Sequence, residues 1–246
     1  MIRYQHNNTV LELFSKIAQE IDQKNDRNER LIKLSRDITI QSKKIIFLLQ
    51  TTSKNNKENV LEEAKQKIDK LATINFQAVA KELKDRDQYQ YLRAFTFGLQ
   101  EYIEACSFYD YLNGDPICDW NDFQNKLTFD AEGTHVFVSP TDLLLGLSDL
   151  TGEVMRFCIN SLGSSNVEEC FTSTKFMQII HKCLLSTTLQ SRDFCHKLLT
   201  LKQSVLKCEM VCFLIKVRGS EATKLGAEGI YTNIVETRKD EDEGFY

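Results

Sequence analysis

Glycine and proline are scarce in this sequence, which has ten glycines and two prolines among 246 residues. Turns between strands depend on these two residues, so an all-β fold and an α/β fold with many strands are both disfavoured. Hydrophobic residues make up 42% of the chain, enough for a substantial core, which excludes wholesale disorder. The composition therefore favours a helical globular protein.

Long apolar runs, an excess of basic residues and paired cysteine motifs are also lacking. No window of about 18 apolar residues occurs, so we expect no transmembrane helix and no membrane partner. The net charge of −4 argues against a generic basic nucleic-acid-binding protein but leaves room for a basic patch. The eight cysteines contain no C-x-x-C pair, so we expect buried free thiols in a protein of a reducing compartment.

Apolar residues recur at helical spacing in seven segments of the chain. The predicted helices cover about residues 9–50, 57–84, 86–112, 119–127, 139–163, 167–186 and 191–218. They predict an all-α, seven-helix bundle that forms a single domain over residues 1–225, followed by an acidic, mobile tail at 226–246. The longest helices would leave apolar flanks that one bundle does not cover, which weakly favours oligomerisation.

Several helix boundaries carry local signals. Thr9 with Glu12 predicts a capping box at the first start, whereas the polar residues 23–30 either form an exposed stretch of one long helix or interrupt it. Residues 113–116 (NGDP) predict the end of the third helix, and a polar loop is predicted near 130–135. Ser139 and Pro140 suit the N-cap and first position of the fifth helix.

The third helix carries two acids beside its apolar stripe. Glu101 and Glu104 have i,i+3 spacing, which places both carboxylates on one helix face. Such a pair is destabilised by mutual repulsion unless a cation lies between the two groups. The plain alternative is that both side chains are solvated.

The fifth helix carries a second pair of acids, at i,i+4 spacing. Asp149 and Glu153 share one face of a helix that is otherwise very apolar, where acids need a reason to be present. Gly146 and Gly152 would admit the close approach of another backbone or of a ligand. The alternative is that Arg156, three residues after Glu153, neutralises it in a buried ion pair.

If the two pairs face each other, four carboxylates form an all-oxygen site. Such a site suits Mg²⁺, or Mn²⁺, which can activate water for attack on a phosphate. A di-iron site is disfavoured because the Glu-x-x-His motifs of ferritin-like bundles are absent. Phosphate-loop, dinucleotide-binding, serine-hydrolase and zinc-protease motifs are absent as well.

Basic residues near these acids would fit a phosphodiester substrate. The candidates for nucleic-acid binding are Arg36, Lys43, Lys44, Arg93 and Arg156. Arg93 lies eight residues before Glu101, on roughly the same face. For the three residues of the first helix, scattered surface charge is an equally good interpretation.

Four runs of residues resemble the translin-associated subunits of the translin family. They are residues 34–39 (LSRDIT), 98–105 (GLQEYIEA), 149–156 (DLTGEVMR) and 214–221 (LIKVRGSE). The runs occur in the family's order, and the resemblance extends from about residue 10 to about residue 222.

The resemblance implies a translin fold and a hetero-oligomer with translin. It implies a Mg²⁺-dependent endoribonuclease that cleaves single-stranded RNA, including nicked passenger strands in RNA silencing and tRNA fragments. The family's acidic catalytic and metal site matches Glu101, Glu104, Asp149 and Glu153 here. A different class of function, a non-catalytic scaffold that organises translin for nucleic-acid binding, is the alternative.

Two departures from the family affect these expectations. The connection between Phe129 and Phe137 is short for the family, and the basic nuclear-import segment expected before the first helix is missing; the sequence leaves open whether these two places are native or trimmed. The N-terminus does not have the features of a signal peptide. We therefore expect a cytoplasmic protein, with nuclear residence as a further location.

Overall fold

The computed structural model describes residues 2–129, 133–163, 167–189 and 191–218. Within these ranges the chain forms seven helices, as predicted, which we number α1 to α7. They are α1 (Ile2–Gln50), α2 (Lys57–Lys70, a π-helical segment Leu71–Phe76 and Gln77–Leu83), α3 (Leu92–Asn113), α4 (Trp120–Lys126), α5 (Pro140–Gly163), α6 (Val167–Leu185) and α7 (Arg192–Arg218). The predicted tail at 226–246, and with it the domain boundary at 225, lies outside the described residues.

The first helix begins earlier than predicted. α1 starts at Ile2, so the capping box predicted at Thr9 is wrong: that residue lies inside the helix. The polar residues 23–30 continue the helix without interruption and are mostly exposed. This stretch contains neither glycine nor proline, and its Gln, Lys, Arg and Glu residues are good helix formers, so nothing in it ends the helix.

The other predicted helix boundaries are confirmed to within one residue, except the start of the third helix, which was predicted at about residue 86 and is wrong by six residues. α3 begins at Leu92, after a 3₁₀ turn at Gln88–Tyr91. It ends at Asn113 because Gly114, at φ 85°, turns the chain, and the Gly114 N–H donates to the Asp110 carbonyl at 3.0 Å. Ser139 caps α5, its Oγ accepting from the Thr141 N–H at 3.2 Å.

The loop predicted near 130–135 is partly wrong, because a short hairpin occupies its ends. Strands β1 (Thr128–Phe129) and β2 (Thr134–His135) are antiparallel, with Thr128 opposite His135. Gly133 has a φ of 61°, a conformation that glycine adopts without strain. Strands of two residues are too short to show alternating hydrophobicity in the sequence.

α3 lies at the centre of the bundle, between α1 on one side and α5 on the other. α1 and α3 run in the same direction, since Ser35 contacts Gly98 and, further along both helices, Lys43 contacts Glu101. On the far side, α5 packs against α6 and α7. This arrangement places the acid-bearing faces of α3 and α5 next to each other.

Glycines allow close helix packing at one position on α5 but not at another. A Cβ built at Gly146 would lie 2.8 Å from Cγ2 of Ile103 and 3.0 Å from the backbone oxygen of Gln100 on α3. A Cβ at Gly152 would have no atom within 4 Å. Of the two glycines predicted to admit a close approach, Gly146 does so for another helix, whereas Gly152 adjoins open space in a cleft.

Gly146→Ala is expected to lower the free energy of unfolding by about 1–3 kcal/mol, because α3 and α5 must move apart. Gly152→Ala, on the same helix, is the matched control and should raise it by up to about 1 kcal/mol through helix propensity. Urea denaturation of both variants measures the difference. Equal effects would show that Gly146 does not set the distance between these helices.

The predictions from cysteine content and hydropathy are tested only in part. Among the described residues, no two cysteines form a disulfide, and Cys106, Cys158 and Cys208 are buried as expected. Cys183 and Cys195 are exposed, so the prediction of burial is wrong for these two, which lie on the outer faces of α6 and α7. In the described ranges, no helix combines the length and apolar character that a membrane span requires.

Candidate functional site

The four predicted acids line one cleft of about 710 Å³. α3 contributes Glu101 and Glu104, and α5 contributes Asp149 and Glu153; residues of α1 and α7 complete the walls. Each acid pair lies on one face of its helix because residues three or four apart are neighbours there. The packing of α3 against α5 then brings the two faces together.

Gly146 explains why the two acidic helices approach so closely at this level. It contacts Ile103, which lies between Glu101 and Glu104 on α3, and it precedes Asp149 by less than one turn. A larger residue at position 146 would separate the pairs. The absence of a side chain at Gly146 and the positions of the acids therefore belong to one local arrangement.

Residues of the same chain pair with the outer acids of the cleft. Lys43 Nζ of α1 lies 3.2 Å from Oε1 of Glu101, and Arg156 Nη1 lies 3.3 Å from Oε2 of Glu153. Gln50 Nε2 donates to the same Glu153 oxygen at 2.8 Å. The sequence predicted a buried ion pair between Arg156 and Glu153. The ion pair is present, but the prediction of burial is wrong, because Arg156 is 62% exposed.

Lys197 of α7 is the cation nearest the centre of the cleft. Its ammonium group forms a short ion pair with Asp149 and lies 3.4 Å from both Gln100 Oε1 and the Leu145 carbonyl oxygen. The side chain is 23% exposed, so the charge is largely shielded from solvent. Lys197 therefore balances negative charge on α5 from the adjacent helix α7.

Glu104 is the acid without such a neighbour. Its side chain is buried, and it has no hydrogen-bond or ion-pair partner among the described residues. Burial, and then the negative charges of Asp149, Glu101 and Glu153, raise its pKa to about 9, although Lys197 opposes the shift. Glu104 needs either a proton or an external cation.

Burial also raises the pKa of Glu101, but there Lys43 opposes the shift at hydrogen-bond distance. The two acids of the i,i+3 pair are therefore in different environments. The alternative interpretation of a solvated pair does not hold for Glu104, which is 8% exposed, and holds only partly for Glu101.

The donor chemistry of the cleft fits a hard divalent cation, since it offers carboxylate oxygens and an unpartnered buried acid. The acids are not, however, drawn together as a ready ligand set: in the described ranges, no three His, Cys, Asp or Glu side chains form a group that could hold a metal ion. Glu101, Asp149 and Glu153 are engaged with the cations described above. Binding of a metal would require these acids to turn from those partners towards Glu104.

A second cleft, of about 800 Å³, adjoins the first. The residues common to both linings are Glu101, Asp149, His196 and Lys197. The second cleft extends along α3 towards Arg93 and Phe97, whereas the first extends along α1 to Phe47 and along α5 to Arg156. Two of the four acids, Glu101 and Asp149, thus lie where the two clefts meet, and we call all four acids the acidic cluster.

The clefts include three of the five basic residues predicted to bind nucleic acid. Lys43 and Arg156 line the first cleft, and Arg93 lines the second. Arg36 and Lys44 are exposed on α1 outside both linings. For these two residues the role in nucleic-acid binding stays a prediction from the sequence.

Sequence reasoning missed Lys197, His196 and Gln50, which the structure places at the acids. A signal for Lys197 was present, because it lies three residues after Phe194 and four before Leu201, both of which are buried. A lysine on the core-facing stripe of a helix indicates a buried acidic partner. No comparable signal marks His196 or Gln50.

The Translin family model matches residues 26–219 of the sequence. The chain belongs to the translin family. The match includes every residue that lines the two clefts, and it confirms the resemblance seen in the four runs of residues.

Named relatives agree with this membership. Translin-associated protein X of Mus musculus is 38% identical over 237 residues, covering 87% of this chain and 81% of that protein. The protein of the same name from Pongo abelii is 39% identical over the same shares of the two chains. The homologue from Schizosaccharomyces pombe is 29% identical over 209 residues, covering 82% of this chain and 87% of the relative.

Two solved structures share the fold of this chain. The crystal structure of apo-NeC3PO has a TM-score of 0.63 at 19% identity and covers 80% of this chain and 93% of that one. The structure of an AfC3PO–duplex RNA complex has a TM-score of 0.61 at 18% identity, covering 84% of this chain and 97% of that one. The fold predicted from the resemblance, a translin-type helical bundle, is confirmed.

Proposed function

We propose that this translin-family chain is the catalytic subunit of a metal-dependent endoribonuclease that cleaves single-stranded RNA, including nicked passenger strands in RNA silencing. It acts in a hetero-oligomer with translin. The observation that carries the proposal is the cleft in which Glu101, Glu104, Asp149 and Glu153 meet, with Glu104 buried and unpartnered among the described residues. The names of the relatives support translin as the partner.

The four carboxylates are the residues that would hold Mg²⁺, with Mn²⁺ as a substitute. When bound, the ion supplies a nucleophilic water and offsets the charge that develops on the phosphate. Lys43 and Arg156 are 64% and 62% exposed, so each side chain can turn from its acid to a phosphate oxygen. These two cations position the RNA backbone without reading its sequence.

Exposed apolar residues support the proposed oligomer. On α7 they recur at spacings of seven, four, three and four residues, which is the pattern of a helix–helix interface. They are Leu199, Leu206, Met210, Phe213 and Val217, each between 42% and 64% exposed. An apolar stripe of this length fits an interface with another helical subunit.

The test uses the full chain co-purified with translin and an internally labelled single-stranded RNA. We expect internal cleavage with Mg²⁺ or Mn²⁺ and none with a chelator, because without the metal no ion activates the attacking water or offsets charge on the phosphate. Ca²⁺ also binds oxygen ligands, so a reaction with Ca²⁺ controls for effects of a divalent cation on the assembly of the complex rather than on cleavage. A complex that binds RNA but does not cleave it with either metal would contradict the catalytic proposal.

The second candidate is a non-catalytic scaffold that organises translin for nucleic-acid binding. One observation favours it: three of the four acids are already engaged by Lys43, Lys197 and Arg156 of the same chain. In that case the acids serve stability, and RNA binding is independent of divalent metal. The cleavage assay therefore separates the two candidates.

A further inference from the structure

Two phenylalanine side chains are exposed on the walls of the two clefts. Phe47 of α1 is 74% exposed and lines the first cleft, and Phe97 of α3 is 71% exposed and lines the second. Single exposed apolar residues are ordinary on protein surfaces. Here, however, each ring lines a cleft that also contains acids of the acidic cluster.

The contacts of its neighbours fix the position of Phe47. Lys43 and Gln50 lie one turn before and one turn after it, on the same face of α1. Lys43 contacts Glu101 at 3.2 Å, and Gln50 donates to Glu153 at 2.8 Å. Phe47 therefore projects from the helix face that borders the acids, between two residues that contact them.

Phe97 has equivalent neighbours on α3. Arg93 lies one turn before it, and Glu101, an acid of the cluster, lies one turn after it. Arg93 and Phe97 both line the second cleft. Each helix thus presents, in the same order, a cation, an exposed ring and a residue at the acidic cluster.

The two rings are far enough apart to engage different nucleotides. α1 and α3 run in the same direction, and Gly98, next to Phe97, contacts Ser35 of α1 at 3.1 Å. Phe47 lies 47 − 35 = 12 residues further along α1, which corresponds to about 18 Å of helix rise. Glu101 lies between these two levels, where Lys43 meets it, whereas Glu153 meets Gln50 beyond Phe47.

We infer that Phe47 and Phe97 are stacking platforms for two bases of a single-stranded RNA that runs through both clefts, with Glu101 at a level between the two rings. The inference rests on the proposed function and extends it to the way in which the strand is held. Lys43 and Arg93, one turn from the rings, complement the phosphates that accompany those bases. Aromatic platforms beside cations are how proteins hold single strands without sequence preference.

Binding of single-stranded RNA by the full chain assembled with translin tests this inference. The measurement is fluorescence anisotropy of a labelled oligouridine in a chelator, so that no cleavage occurs. Phe47→Ala and Phe97→Ala are each expected to weaken binding by about 5- to 150-fold, the range for loss of one base–aromatic stack. Phe47→Trp and Phe97→Trp should restore it.

Two controls separate base stacking from other roles of the rings. Tyr89 is 68% exposed but lines neither cleft, so Tyr89→Ala should leave binding unchanged. On an oligonucleotide that lacks bases, the alanine variants should bind as the parent does. Sizing chromatography of each variant with translin should show an unchanged assembly.

Each contrary outcome has a distinct meaning. If the parent complex binds no single-stranded RNA, the proposed function fails, and this inference fails with it. If the parent binds and both alanine variants bind within about twofold of it, the stacking inference alone is wrong. Variants that lose assembly with translin would show instead that the rings are subunit contacts, which also overturns the inference.

Discussion

Replacing Glu153 with Ala is expected to abolish RNA cleavage by the assembled complex while leaving RNA binding nearly unchanged. The substitution removes one of four carboxylates from the site, and the loss in rate should reach about 1,000-fold, since a catalytic metal supplies several kcal/mol. Binding should persist, because the carboxylate of Glu153 repels phosphate when no metal is present, so its removal takes away no attractive interaction. The measurements are single-turnover cleavage at saturating Mg²⁺ and binding of the same RNA in a chelator.

Arg156→Ala is the matched control for this prediction, because it removes the ion-pair partner of Glu153 at 3.3 Å but leaves the acid in place. Gln50 still donates to Glu153 at 2.8 Å, so the carboxylate keeps a partner. We expect a loss of cleavage below about tenfold and a small loss of stability, as for other exposed pairs. If Glu153→Ala cleaves as fast as the parent with assembly intact, the acids are structural and the scaffold interpretation is correct.

Replacing Glu104 with Gln should both abolish cleavage and stabilise the metal-free protein at neutral and alkaline pH. Glu104 is buried, and its pKa rises from 4.5 to about 9 in the folded state. Between those values the unfolded chain releases a proton that the folded chain keeps, so the free energy of unfolding falls as pH rises from about 4.5 to about 9. The neutral amide does not titrate, so this pH dependence is lost. The free energy of unfolding at pH 8 should then be higher than that of the parent by on the order of a few kcal/mol.

Urea denaturation from pH 5 to pH 9, in a chelator, measures this effect. The surface residue Glu63, which pairs with Lys67 at 2.6 Å and is 54% exposed, provides the control substitution Glu63→Gln, with an expected change within about 0.5 kcal/mol. A Glu104→Gln protein with the same pH dependence as the parent would show that this carboxyl does not carry the shift. Loss of cleavage without a change in stability would separate its chemical role from its electrostatic one.

The helices were predictable from the sequence because their signals are local. Apolar spacing located all seven, and Gly114 and Ser139 marked boundaries that the structure confirms. The start of α1 was not predictable, because a Thr followed three residues later by a Glu occurs inside helices as well as at their first turn. The hairpin strands were missed because two residues are too few to form a pattern.

The candidate site was predictable only in its acids. Spacing within α3 and α5 places the carboxylates of each pair on one face, and the resemblance to the translin family joins the two pairs. Their counter-ions depend on packing between distant segments: Lys197 meets Asp149 from 48 residues away, and Gln50 meets Glu153 from 103 residues away. No periodicity in the sequence reports such contacts.

Two adjacent basic residues also show what the sequence alone does not distinguish. Lys43 and Lys44 are adjacent and chemically equivalent in the sequence, yet only Lys43 lines a cleft, where it contacts Glu101. Adjacent residues differ by about 100° around a helix, so the register of α1 against α3 decides which of them faces the acids. That register depends on the close contact of Gly98 with Ser35, which a single sequence does not reveal.

The most direct test of the central claim, that these four acids hold a catalytic metal, is to locate Mn²⁺ in crystals of the complex with translin by anomalous scattering. The account predicts an anomalous peak in the cleft lined by Glu101, Glu104, Asp149 and Glu153, with Lys197 displaced from Asp149. The peak should disappear in Glu104→Gln crystals. No peak in the cleft at a Mn²⁺ concentration that supports cleavage, with Lys197 still paired to Asp149, would contradict the account.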